Sequence, residues 1–272
     1  MADDARQETT AGLDTVQVYE AYLRSPLGRL RSELVWQQLA LHLGSSPLRV
    51  LDAGSGPGEL ALRLARAGHT VTLVDAAPAM LQRAAEIAAA ETPAVQSRLT
   101  TVVADLHQLP LALTTQTYDL VLCHNVLEYS PDPPSLLAHL TTLLTDGGAL
   151  SLLVANQANP PLQTAIKRQD LAQALQLLGT TVQPTTLMGV PKRTFAVDDV
   201  VQLCADAGLS TLTVRPIRVI ADLLPDALLT DPAQWDALLA LEVALSQRQE
   251  YRGIGRLTWA WGTRIRPAVW PE

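Results

Sequence analysis

Residues 49–60, RVLDAGSGPGEL, limit what this chain can fold into more than any other stretch. Arg49, Val50 and Leu51 lead to Asp52, and the chain then turns through Gly54, Gly56 and Gly58 into Glu59-Leu60-Ala61-Leu62. Val50 and Leu51 read as a buried parallel strand, and Glu59 opens a helix. A strand that passes through glycines into a helix start gathers bare backbone and unpaired N–H donors at one point, where a ligand can approach closely. The spacing is Gly-x-Gly-x-Gly. A dinucleotide fingerprint would place glycine or alanine at Glu59, which disfavours a pyrophosphate as the ligand. A second predicted strand ends in Asp75, about twenty residues after the first glycine, where a carboxylate can accept both hydroxyls of a ribose.

The alternation continues along the chain. Strands are predicted at 49–52, 71–75, 99–104, 118–123 and 149–154, with helices at 59–67, 79–90 and 136–144. Short strands, apolar on both faces and each followed by a helix, call for a parallel sheet covered on both sides, with ligands at the carboxyl ends of the strands. Gly68 and the Asp146-Gly147-Gly148 run read as helix-end and turn signals. Ahead of this core, residues 16–43 carry helical periodicity broken at Ser25-Pro26, which predicts two helices. Behind it, residues 156–195 interrupt the pattern with Pro160-Pro161, a helical run over 162–178 and a return to Phe195. About forty residues is too long for a connector in a compact domain, so the segment reads as a cap over the substrate side. A helix at 198–207, a strand at 210–221, a helix at 232–249 and a strand at 255–264 complete the chain.

Composition narrows the function classes. A 48% apolar and 17% charged chain of 272 residues suits one large α/β domain, and no apolar run approaches the roughly 18–20 residues of a membrane helix. The N-terminus is acidic and polar, unlike a secretory signal, so a cytoplasmic protein is expected. Cys123 and Cys204 fall on separate predicted elements and read as small buried residues. No metal site is expected. The net charge is −7; residues 1–150 hold 9 basic and 16 acidic side chains, whereas residues 151–272 hold 11 of each. Only Lys167 and Lys192 are lysines, so any basic surface for a nucleic acid is local and belongs to the later half.

The glycine loop, then LVDAAPAML, VVADLHQLP and YDLVLCHNVLEY with LLTDGGALSLLV, follow the motif order of the class I S-adenosylmethionine-dependent methyltransferases, which residues 48–155 resemble. The resemblance implies a doubly wound, mostly parallel seven-stranded α/β sheet of Rossmann-like type with an antiparallel last strand. It also implies one domain over 17–272 after a disordered tail at 1–16: N-terminal helices at 17–43, the cofactor core at 48–155, the cap at 156–195 and the closing sheet and helices at 196–272. S-adenosyl-L-methionine is the implied cofactor. By resemblance Asp75 takes the ribose hydroxyls, Asp105 with the backbone of Ala104 and Leu106 faces the adenine, and Gly54-Ser55-Gly56 lies along the methionine moiety. Asp52 braces the loop or the ligand's ammonium, Ala76 and Met80 are apolar walls, and Arg31 meets the methionine carboxylate. The plain alternative for each acid is a strand-end side chain capping a nearby amide. His124, at the place that faces sulfonium and acceptor in this fold, acts as a base or orients the cofactor.

A narrower resemblance rests on GRLRSELVWQQL, LDAGSG, CHNVLEY, PKRT and ALLALE with YRGIGRL. Together they are similar to the transfer RNA wobble-uridine carboxymethoxy carboxyl methyltransferases, which esterify the carboxylate of 5-carboxymethoxyuridine. A tRNA anticodon stem-loop is then the implied partner. Such a carboxylate is ionised at neutral pH, needs no base, and suits an arginine fork. Arg193 and Arg256 are the candidates for carboxylate or phosphate, Lys192 for phosphate and Tyr129 for stacking. The sequence departs from that family where its lysine cluster shrinks to Lys192 and where Ala196-Val197-Asp198-Asp199 follows. Two other readings stay open: a methyltransferase of a small metabolite, and a cofactor-binding regulatory protein without catalysis.

Overall fold

A computed structural model describes residues 15–183 and 189–265; of the disordered tail expected over 1–16, residues 1–14 fall outside them, whereas Thr15 and Val16 begin a helix in which Val16 is buried. Strands β1 (Arg49–Ala53), β2 (Thr70–Asp75), β3 (Leu99–Val103), β4 (Tyr118–His124), β5 (Leu144–Ala155), β8 (Leu209–Ile217) and β9 (Leu257–Arg264) form a seven-stranded sheet in the order β3-β2-β1-β4-β5-β9-β8. A separate antiparallel ribbon pairs β6 (Val182–Gln183) with β7 (Lys192–Arg193). The parallel registers place Arg49 opposite Thr70, Ala53 opposite Cys123 and Asp75 opposite Val103. β9 runs the other way: Arg256 N–H bonds Arg218 O just past the end of β8, and Ile265 N–H bonds Gly208 O before its start. The mostly parallel sheet with an antiparallel closing strand is as the sequence predicts.

Why the centre lies where it does follows from the side chains. Val50 and Leu51 of β1 and Leu120 to Cys123 of β4 are fully buried, whereas Thr100, Thr101 and Val103 on edge strand β3 face solvent. The helix Glu59–Arg66 turns Ala61, Leu62, Leu64 and Ala65 inward and leaves its charges out. Strand order reverses between β1 and β4, the switch point at which ligands of open α/β sheets bind.

The described chain divides into two compact units. One comprises residues up to Gly44, Leu153–Val200 and Val214–Trp259, and the other Ser45–Leu152, Val201–Thr213 and the residues from Ala260 onward. Among the described residues no helix is long and apolar enough to cross a membrane.

Several boundaries differ from the sequence expectation for local reasons. The helical run expected over 162–178 is two helices, Asn159–Ile166 and Leu171–Leu177; between them Gln169 takes φ 56° and Asp170 caps the second by accepting from Gln173 N–H. The strand expected to reach residue 221 stops at Ile217, because Arg218 adopts φ 59° and the next three amides, Val219, Ile220 and Ala221, donate to the Glu242 carboxylate. The last long helix begins at Trp235, not at 232, after one 3-10 turn. Asp146-Gly147-Gly148, expected as a turn, lies inside β5, with Gly147 at φ 78°. The two N-terminal helices occur as expected, and Ser25 caps Pro26–Ala40 by accepting from Gly28 N–H at 3.1 Å.

Candidate functional site

The glycine loop leaves β1 with a left-handed backbone at Gly54 (φ 75°) and Gly56 (φ 54°), which residues with a side chain adopt only at a cost. Space is restricted as well. A Cβ at residue 54 would stand 2.3 Å from Val126 Cγ2, so the isopropyl group of Val126 rests on bare backbone. The loop is tied to β2 by Gly54 N–H and Ser55 N–H, both donating to Val74 O at 2.8 and 3.0 Å.

Asp75 is the hinge of this arrangement. One carboxylate oxygen accepts from Gly56 N–H at 2.8 Å and the other from Ala77 N–H at 2.9 Å, so the acid joins the loop after β1 to the turn after β2. Each oxygen keeps a lone pair for a further donor. Burial raises the Asp75 pKa, and the amides of Ala77, Gly56 and Ala76 oppose that rise. Asp52 is fully embedded beside it. Its carboxyl is pushed from the usual 3.8 to about 7, first by burial and then by the charge of Asp75. The folded chain therefore holds a proton on Asp52 that the unfolded chain releases near pH 4.

That difference has a definite sign. Between about pH 4 and pH 7 the folded state binds the extra proton, so stability is greatest at the acidic end and falls as pH rises, by up to ~1.4 kcal/mol per unit. Asp75 and Glu242, also raised by burial, act in the same sense, while His69, lowered by burial, opposes it below its ordinary value. Urea midpoints of the ligand-free chain should decline from pH 5 to pH 7, and Asp52→Asn should flatten that decline. An identical slope in the variant would remove Asp52 as its source.

At the ends of the neighbouring strands lie the other residues singled out by sequence. Asp105 is exposed and accepts from His107 N–H at 2.9 Å in a tight local turn. Leu106 and Met80 are buried, and Ala104 and Ala76 retain partial to full exposure. His124 ends β4 half-buried, with Nε2 2.8 Å from Ser151 Oγ on β5. Tyr129 lies exposed in the short turn Leu127–Tyr129.

Asp52, Gly54, Ser55, Gly56, Asp75, Ala76, Met80, Ala104, Asp105, Leu106, His124 and Tyr129 thus belong to one unit, at the ends of four adjacent strands or in the segments that follow them. Arg31, Lys192, Arg193 and Arg256 belong to the other. Arg31 approaches Tyr19 Oη at 3.4 Å and the face of Tyr22 at 5.7 Å. Lys192 and Arg193 are the half-buried residues of β7, paired with Gln183 and Val182. Arg256 precedes β9, and burial lowers its pKa, with Asp222 opposing and Arg218 adding to the effect.

Three features of the cofactor-side unit escaped the sequence reading. Ser151 sits in a run that reads as uniformly apolar strand, yet its hydroxyl meets His124. Val126 covers Gly54. Asn125, at φ 57°, donates to the buried carboxylate of Glu128 at 2.9 Å. A histidine followed by asparagine at a strand end is the one local signal available, because asparagine tolerates the left-handed region.

A family model described as a methyltransferase domain matches residues 51–150. The tRNA 5-carboxymethoxyuridine methyltransferase of Escherichia coli (strain K12) is 31% identical over 242 residues, 84% of this chain and 86% of its own length. A ubiquinone biosynthesis O-methyltransferase of Paracidovorax citrulli is 39% identical over 110 residues, 39% of this chain and 44% of its own. The solved structure of the N-methyltransferase NodS from Bradyrhizobium japonicum, in complex with S-adenosyl-L-homocysteine, matches in fold with a TM-score of 0.54 at 15% identity, over 93% of this chain and 99% of that one.

Proposed function

Since the chain belongs to the class I S-adenosylmethionine-dependent methyltransferases, we propose that it methylates the carboxylate of a 5-carboxymethoxyuridine in a tRNA anticodon, using Asp75, Asp105 and the Gly54–Gly56 backbone to hold S-adenosylmethionine. The observation that carries the acceptor is the reach of the likeness. The tRNA enzyme aligns over 84% of this chain, well past the cofactor half, whereas the ubiquinone-pathway enzyme aligns over 39%.

The residues present fit the cofactor. Asp75 has lone pairs left for two hydroxyls, and Gly56 offers backbone without a side chain for a ligand to lie against, while the space over Gly54 is filled by Val126. Asp105 is exposed and uses one oxygen on His107 N–H, Ala104 and Leu106 adjoin it in sequence, and Ala76 and Met80 are assigned as apolar walls. Arg31 is assigned to the methionine carboxylate. Asp52, whose carboxyl in the free chain is raised to about 7 and so shares its time between both forms near neutrality, is driven to the carboxylate when a cationic ammonium arrives. Bound there, S-adenosylmethionine supplies an electrophilic methyl group on a sulfonium.

A carboxylate acceptor arrives ionised, so no residue has to remove a proton. His124, held by Ser151, is therefore an orienting group in this reading, not a base. What the remaining side chains must do is align the acceptor and exclude water. Arg193 and Arg256 are assigned to its anionic groups, Lys192 to phosphate and Tyr129 to a stacked base. A tRNA acceptor also implies a cytoplasmic site of action.

Labelled S-adenosylmethionine offered to the purified protein with total tRNA and, in parallel, with a metabolite extract tests this directly. Label is expected in tRNA, with binding that weakens steeply as salt rises. A flat salt response with label in a small molecule would overturn it. That second reading has its own support: a net charge of −7 and only two lysines make a sparse surface for RNA. Arg193→Ala is expected to leave S-adenosylhomocysteine affinity unchanged and to reduce tRNA turnover about tenfold. Equal losses in both would place Arg193 with the cofactor.

A further inference from the structure

Three strand ends meet within the first unit. β5 ends at Ala155, β8 at Ile217, and β9 begins at Leu257. The residues just beyond these ends are polar and buried: Asn156, Asn159, Arg218 and Asp222 are all less than 5% exposed. Backbone bonds fix them, with Asn156 N–H to Arg256 O at 3.2 Å and Arg256 N–H to Arg218 O at 2.8 Å. The Asn156 amide adds bonds to Gly253 O and Gly255 O at 2.9 and 2.8 Å. This is the carboxyl end of β5, the edge at which parallel sheets receive ligands.

The two arginines there are unequally served. Arg218 gives Nε and Nη2 to the two oxygens of Asp222, and Nη1 to Tyr22 Oη and Leu27 O. Each nitrogen of its guanidinium has a partner. Among the described residues Arg256 has one side-chain hydrogen bond, from Nη1 to Asn159 Oδ1 at 3.2 Å, and the nearest carboxylate oxygen, on Asp222, is 4.0 Å from Nε. Its side chain is only 19% exposed. Asn159 is entirely buried, and among the described residues its Nδ2 has no acceptor. A mostly buried cation and a buried amide donor on adjoining side chains both call for acceptor oxygens.

The residue type at 159 sharpens the inference. Asn159 occupies the first turn of the helix Asn159–Ile166, where an acid is favoured by the helix dipole. Aspartate there would have nearly the same shape and would neutralise Arg256. The neutral amide instead orients the guanidinium without consuming its charge.

We propose that Asn159 and Arg256 together grip the acceptor's carboxylate: Arg256 as the cationic fork, Asn159 as the residue that aims it and adds its own Nδ2 donor. This rests on the carboxymethoxyuridine reading and leaves Lys192 and Arg193, on the β6–β7 ribbon, for phosphates.

The test is binding of three nucleosides to the full chain saturated with S-adenosylhomocysteine: 5-carboxymethoxyuridine, 5-methoxyuridine and uridine 5′-monophosphate. The wild type should prefer the carboxylate over 5-methoxyuridine. Asn159→Ala should reduce that preference about tenfold and Arg256→Gln by at least as much, while 5-methoxyuridine binds as before. Asn159→Asp guards against simple misfolding; it should raise the melting temperature, retain S-adenosylhomocysteine, and abolish the preference by supplying Arg256 with an internal carboxylate. A preference that survives in Asn159→Ala and Arg256→Gln overturns the assignment. So does uridine 5′-monophosphate being favoured and lost in parallel, which would make this a phosphate site, and so does a wild type with no preference. If the preference is present and depends on both residues while tRNA is not methylated, the tRNA reading fails and the carboxylate site stands.

Discussion

Asp75→Ala should weaken S-adenosylmethionine binding by about a hundredfold, close to 2.8 kcal/mol. Two losses combine. In the free protein the carboxylate receives Gly56 N–H at 2.8 Å and Ala77 N–H at 2.9 Å, so alanine releases the glycine loop from the turn after β2. In the complex it is assigned two ribose hydroxyls, and a hydrogen bond to a charged acceptor contributes roughly 1.5–3 kcal/mol net of exchange with water. Asp75→Asn separates the two. One carbonyl oxygen can serve one amide, but the new NH2 group faces the other donor, so binding should fall by at least about tenfold with the fold retained. The charge of Asp75 also helps hold Asp52 at about 7, so in Asp75→Asn the pH dependence contributed by Asp52 should move to lower pH. Calorimetry giving Asp75→Ala the wild-type affinity would remove the ribose assignment, whatever the loop does.

Much of this site can be read without coordinates because its chemistry is local. Gly54, Gly56 and Asp75 announce themselves: glycines where only glycine suits the turn, and an acid at the end of an apolar run one strand later. The capping role considered for Asp75 and Asp105 is also real, with Ala77 N–H and His107 N–H as partners, and it leaves lone pairs on both carboxylates for a further donor. What escaped is pairwise and distant. Ser151 looks like strand filler until it meets His124 across 27 positions, and Asn159 meets Arg256 across 97. Glu242, on a helix that reads as apolar, is buried because three consecutive amides after Arg218 need an acceptor, a demand created by a left-handed residue that periodicity cannot reveal. The break at Gln169 carries neither proline nor glycine, so a helical pattern runs through it unmarked.

Gly54→Ala is the second large effect expected, and it can be divided into its causes. A side chain at φ 75° costs about 1–2 kcal/mol in backbone strain. A methyl group 2.3 Å from Val126 Cγ2 adds an overpacking penalty of about 1–3 kcal/mol. Together these predict a loss of about 3 kcal/mol in urea unfolding, with S-adenosylhomocysteine binding lost because the loop must shift to seat the methyl group. Val126→Ala by itself should cost about 1 kcal/mol, the price of a small void at a half-buried site. If Val126 is what stands over the loop, the double variant removes the clash and keeps only the strain, so the two changes should couple favourably by about 1–2 kcal/mol. Strictly additive losses would mean that the loop yields around the new methyl group, and that its glycine is required for backbone conformation alone.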